Sequence, residues 1–66
     1  MSTTATRYRT IGGHTVEAVQ YATREGEPVY CCEVVDGSGE VVEFIDRVHG
    51  EAALSLLVAR RRWVAL

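Results

Sequence analysis

The chain contains no lysine, no asparagine, a single proline and only two cysteines, Cys31 and Cys32, which are adjacent. Without lysine there is no GxxxxGK loop, so Gly12-Gly13 signals a turn and not a phosphate cradle. A bond between neighbouring cysteines would close almost no loop and add little constraint to the unfolded chain. No second cysteine pair and no closely spaced histidine completes a zinc set, and no other metal or cofactor is expected. The longest apolar stretch, near Leu54–Ala59, falls far short of the ~20 residues that span a membrane. The segment 1–6 is rich in Ser and Thr and lacks an apolar stretch behind a basic start, so no secretory leader is expected. Reduced thiols and a cytoplasmic location follow as expectations. All seven basic residues are arginine, and the net charge is −2. That balance opposes a general nucleic-acid coat or a polybasic membrane binder.

What remains is sufficient for one domain of 66 residues. A chain of this size buries roughly 60% of the surface its unfolded form exposes, so its core is marginal. Such domains gain from a disulfide, a metal or a second chain. With the first two excluded, association is the expectation. Residues 1–6 read as a flexible tail and 7–66 as the compact domain.

The pattern predicts an α+β fold: a three- to four-stranded antiparallel meander packed by one C-terminal helix. Arg7–Ile11 suits a short strand before the Gly12-Gly13 hairpin. In Thr15–Thr23, Thr, Val and Tyr favour a strand, whereas Ala18, Gln20 and Ala22 suit a helix capped by Thr15. The balance falls on the strand. Val29–Asp36 and Glu40–Arg47 are β-rich runs around Gly37-Ser38-Gly39. A three-residue loop with Gly39 left-handed pairs Asp36 with Glu40. Tyr30, Cys32, Val34, Val42 and Phe44 then share one apolar face, and Glu33 falls opposite Glu43 on the other.

A helix is predicted from about Gly50 to Arg62, with Glu51 suiting its positive N-terminus. At 100° per residue Ala52, Leu56, Ala59 and Trp63 form one stripe, with Ala53 and Leu57 beside it. This apolar arc is wider than one sheet face needs. Leu56, Ala59, Trp63 and the terminal Leu66 are therefore the expected interface residues, with Trp63 as anchor.

Other candidates carry less. Adjacent strand residues point to opposite faces, so Cys31 and Cys32 cannot jointly chelate an ion; Cys32 reads as core and Cys31 as second face. His14 and His49 fall at element boundaries with no recognisable nucleophile beside them, and no catalytic residue is assigned. Glu17, Glu33 and Glu43 form an acidic stripe suited to a basic partner. Arg7, Arg9, Arg60, Arg61 and Arg62 are the positions for phosphate contact. Arginine in a last helical turn also complements the helix C-terminus, and three successive helical residues fan apart.

Tyr8-Arg9 followed by Val16-Glu17-Ala18-Val19-Gln20-Tyr21 resembles the opening of many small phage and prophage proteins. In that group the Val-Glu-Ala-x-Gln segment resembles a strand. Here Thr10–Thr15 replaces the basic, proline-containing stretch, and no activity carries over to any residue. The topology is also similar to the sheet-plus-helix arm-binding domains of phage integrases, which use a basic sheet face in the major groove. The corresponding face here would bear Glu17, Glu33 and Glu43, which opposes that use. The reading is a non-enzymatic protein–protein interaction or regulatory protein, self-associating and most simply a homodimer. A small DNA- or RNA-binding regulator using the arginine clusters is the alternative.

Overall fold

The computed structural model describes residues 5–66, and for Ala22 the backbone. Residues 1–4 of the expected tail lie outside the described residues. Ala5 and Thr6, assigned to that tail, instead open the first strand. The strands are β1 (Ala5–Arg9), β2 (Thr15–Ala22), β3 (Pro28–Val35), β4 (Val41–His49) and β5 (Val64–Ala65), with one helix, α1 (Gly50–Arg61), between β4 and β5. They form one antiparallel sheet in the order β4-β3-β2-β1-β5. The α+β meander is thus present, with a fifth strand beyond the three or four expected. Thr15–Ala22 is a strand, as the balance of its residues favoured.

The three hairpins share one design. Thr10, Thr23 and Asp36 each start a loop, thirteen residues apart, with a glycine three positions on. In each, the first residue's N–H donates to the carbonyl of the fifth, Thr10 to His14 at 2.9 Å, Thr23 to Glu27 at 3.2 Å and Asp36 to Glu40 at 2.9 Å. Gly13, Gly26 and Gly39 all have φ between 81° and 89°, the left-handed position that closes a three-residue hairpin. The starting side chain also accepts from the fifth N–H: Thr10 Oγ1 from His14, Thr23 Oγ1 from Glu27, Asp36 Oδ1 from Glu40. Side-chain acceptance of this kind is why Thr and Asp suit turns.

Strand β4 does not continue the simple register. Val35 pairs with Val41 as expected, but Val34 then pairs with Glu43 and Glu33 with Phe44. A bulge after Val41 shifts every later side chain to the other face. Val42 and Phe44 are therefore not core residues, and Glu33 does not oppose Glu43. A second irregularity lies between Ile45 and Val48, where Arg47 takes φ 58°. Together the two bulges direct Ile45 and Val48 inward and keep Arg47 out.

No loop separates β4 from α1. Gly50, at φ 87°, turns the chain straight into the helix. The helix packs on β3 and β4, with Leu54 buried and Ala53, Leu57 and Val58 partly so. Its other end closes on Arg62 in the left-handed conformation, with Arg62 N–H donating to the Ala59 carbonyl and Trp63 N–H to that of Val58. This paired closure leaves the helical phase before Trp63. Trp63 therefore does not extend the Ala52–Leu56–Ala59 stripe. It turns inward, is 7% exposed, and sits 6.1 Å from the Tyr8 ring, centroid to centroid. The tail docks back on its own domain: β5 pairs with β1, and Leu66 N–H donates to the Arg7 carbonyl at 3.0 Å.

Candidate interaction surface

The helix covers one face of the sheet, and among the described residues no element covers the other. The covered face joins Val16, Ala18, Tyr30, Cys32, Val34 and Val48 to Leu54 and Trp63 in one cluster. Burial pushes the Cys32 thiol above its ordinary pKa, which keeps it protonated and inert. Tyr8 is shifted upward as well, by burial first and by neighbouring Cys32 and Tyr30 next.

Strand alternation and the pairing registers fix what the open face carries. One row across the sheet reads Leu66, Arg7, Glu17, Glu33, Phe44. The next reads Val64, Arg9, Thr15, Val35, Val41. Both rows are apolar at each end; within, the first is wholly charged, and the second carries Arg9 and Thr15 beside Val35. The ends are also strongly exposed: Leu66 65%, Val64 66%, Phe44 57% and Val41 52%. Further along, Val19 and Cys31 are half-buried. At the far end Tyr21 on β2 donates its hydroxyl to Asp46 Oδ1 on β4 at 3.0 Å, strapping across β3. That donation to a carboxylate, with some burial, raises the Tyr21 pKa. Val29, between Tyr21 and His49 in the pairing, is only 1% exposed.

The expected acidic stripe is reduced to two members. Glu17 and Glu33 are direct cross-strand partners, and Arg7 stands 3.4 Å from Glu17 on the other side. Glu43 lies on the covered face instead, where Arg61 grips it with two hydrogen bonds of 2.9 and 2.8 Å. These bonds hold its carboxyl below the usual carboxylate range. The pair borders a hollow of about 330 Å³ beside His14, Val34, Val42 and Trp63. Each partner satisfies the other, so neither is free to act on a ligand there.

The four expected interface residues do not form one surface. Trp63 belongs to the core. Leu56 and Ala59 are exposed on the outer side of α1, and Leu66 lies at the edge of the open face. All five arginines are exposed; Arg61 is gripped by Glu43, and Arg7 stands 3.4 Å from Glu17.

His14 precedes Thr15, which pairs with Val35, whereas His49 pairs with Val29 at the other end of β3. The two histidines therefore stand at opposite ends of the sheet. His49 is 3.9 Å from Glu27. Cys31 and Cys32 are both free and on opposite faces, as alternation required. No cluster of His, Cys, Asp or Glu among the described residues has the geometry of a metal site. No helix among them is long and apolar enough to cross a membrane.

No protein-family model, curated protein or solved structure matches this chain. The open face is thus judged on its own chemistry. Sequence reasoning missed Phe44 and Val64 as surface residues. Their signal was the surplus of apolar residues over what one small core can bury, without an indication of where the surplus lay.

Proposed function

We propose that the chain is a non-enzymatic interaction protein that works through the open face of its sheet, self-associating there by protein–protein contact. The observation that carries the reading is the exposure of Leu66, Val64, Phe44 and Val41 on a face that no element among the described residues covers. Soluble monomers rarely leave extended apolar patches to water, and such patches mark interaction sites. The resemblance of Tyr8-Arg9 and Val16–Tyr21 to small phage and prophage proteins suggests an accessory factor of that kind, acting in the cytoplasm.

The test compares two charge insertions. Native-host proteins retained by the immobilised chain are expected to persist on Leu56→Asp and to be lost on Phe44→Asp. Equal retention by both variants would overturn the use of the open face. The nucleic-acid reading is weaker, because Glu17 and Glu33 lie in the same row as Arg7 and would repel a phosphate backbone, and Arg61 is held by Glu43. It requires strongly salt-dependent binding, and a gel shift at low salt checks it.

A further inference from the structure

We infer that the open face is built to receive a second copy of the same chain, face to face about a two-fold axis that runs parallel to the strands over β2. The inference rests on the reading just given, that this face is the working surface, and names its occupant and geometry.

A two-fold contact brings a surface against itself in reversed order, so it must be complementary to its own reversal. Rotation about an axis along β2 reverses the order of strands while keeping positions along them. The row Leu66, Arg7, Glu17, Glu33, Phe44 then meets its own reverse. Leu66 falls against Phe44 of the second copy, and Arg7 falls against Glu33 of the second copy. The neighbouring row sets Val64 against Val41 in the same way. Apolar ends meet apolar ends in both rows, and in the first row opposite charges meet between them; in the second, Arg9 falls against Val35 of the second copy and Thr15 against Thr15.

Glu33 supports this independently. It is exposed, sits beside Glu17, and has no ion-pair partner among the described residues. Adjacent like charges across strands are unfavourable in an isolated sheet. In the pair of copies each Glu33 gains an arginine. The two Glu17 side chains meet near the axis, each with its own Arg7 beside it.

The strands hold 5, 8, 8, 9 and 2 residues, and at about 4.8 Å by 3.3 Å for each residue they give a face of about 500 Å² per copy. Two copies would remove about 1,000 Å² from water, the size a specific interface has to reach. Stacked sheets of this kind lie about 10 Å apart with strands within about 30° of parallel.

Sedimentation of the full chain at micromolar concentration tests the geometry through a charge swap. Arg7→Glu alone sets Glu against Glu33 of the second copy, and Glu33→Arg alone sets Arg against Arg7. Each is expected to weaken self-association at least about tenfold. An equimolar mixture of the two variants places opposite charges at both contacts and is expected to restore the dimer. If either variant associates like the parent chain, the pairing is wrong. Circular dichroism verifies that both variants fold. Should Arg7→Glu fail to fold, the parent chain alone decides: in a mixed isotope-labelled sample, nuclear Overhauser contacts between Leu66 methyls of one copy and the Phe44 ring of the other are expected. A dimer lacking those contacts overturns the inference. A monomeric parent also overturns it. If that monomer still loses its host partner on Phe44→Asp, the interaction reading survives; if it retains nothing, both fall.

Discussion

Both faces of the sheet carry large apolar side chains, yet one face is closed and the other is not. On the covered face, Val16, Ala18, Tyr30, Cys32, Val34 and Val48 meet Leu54 and Trp63 and lose nearly all contact with water. On the open face, Val41 and Phe44 at one edge and Val64 and Leu66 at the other remain more than half exposed. One helix of twelve residues suffices for one face only. In a chain this small, the difference teaches that one helix cannot cover all the apolar content that five strands carry.

The sharpest way to break the comparison is to cut one large aromatic from each face. Trp63→Ala removes the largest side chain of the core and is expected to cost about 3–5 kcal/mol. That is a large part of the stability a small domain has, so thermal melting should show a chain largely unfolded at room temperature. Phe44→Ala, on the open face, is expected to change folding of the isolated chain by at most about 0.5 kcal/mol while weakening self-association. Equal thermal shifts for the two would erase the distinction between the faces.

A smaller effect probes how the helix reaches the covered face. Gly50 turns β4 directly into α1 at φ 87°. A side chain in the left-handed region costs about 1–2 kcal/mol, and Gly50→Ala is expected to lower the urea midpoint accordingly. An unchanged midpoint would mean that the junction tolerates another route.

Acid acts on the tie between helix and edge strand. Arg61 holds the Glu43 carboxyl below its ordinary range in the folded chain. Its stabilisation is therefore fully present above the unfolded value and is lost as pH falls through the lower folded value. Asp36 behaves alike, held down chiefly by Ser38 and then by the N–H groups of Glu40 and Ser38. Both pairs are largely solvated, so the Glu43–Arg61 contribution is below about 1 kcal/mol. Glu43→Gln is expected to flatten the acid limb of a stability–pH curve slightly, and an unaltered limb would show the pair to be inert.

The smallest expected change is a gain. Arg47 occupies φ 58° at the second bulge, a strain of about 1–2 kcal/mol. Arg47→Gly relieves it at an entropic cost of about 0.5–1 kcal/mol, for a net gain of about 0.5 kcal/mol. Destabilisation instead would show that the arginine side chain contributes contacts that outweigh the strain.

Much of the fold was legible. The Asp36–Glu40 loop, the strand at Thr15–Ala22, the helix start at Gly50 and the opposite facing of Cys31 and Cys32 all follow from local chemistry. The same loop at Thr10–His14 and Thr23–Glu27 went unread, although Thr10, Thr23 and Asp36 with Gly13, Gly26 and Gly39 repeat at thirteen residues. The faces of β4 were not legible from alternation, because its bulges depend on partners distant in sequence. Only the helix brings Arg61 to Glu43. Trp63 misled for a related reason: helical phase carries it outward, and Arg62, not a glycine, makes the left-handed turn that brings it in. The interface was sought on the helix, where Trp63 seemed available. Once Trp63 is in the core, the exposed apolar surface that remains lies chiefly across the open sheet face.

The central claim, that this open face is closed by another copy, is tested most directly by the urea midpoint of the parent chain at two protein concentrations. Association that stabilises the folded state makes apparent stability rise with concentration. The expected result is a higher midpoint in the more concentrated sample, with no such rise for Phe44→Asp. A parent midpoint independent of concentration would contradict the account.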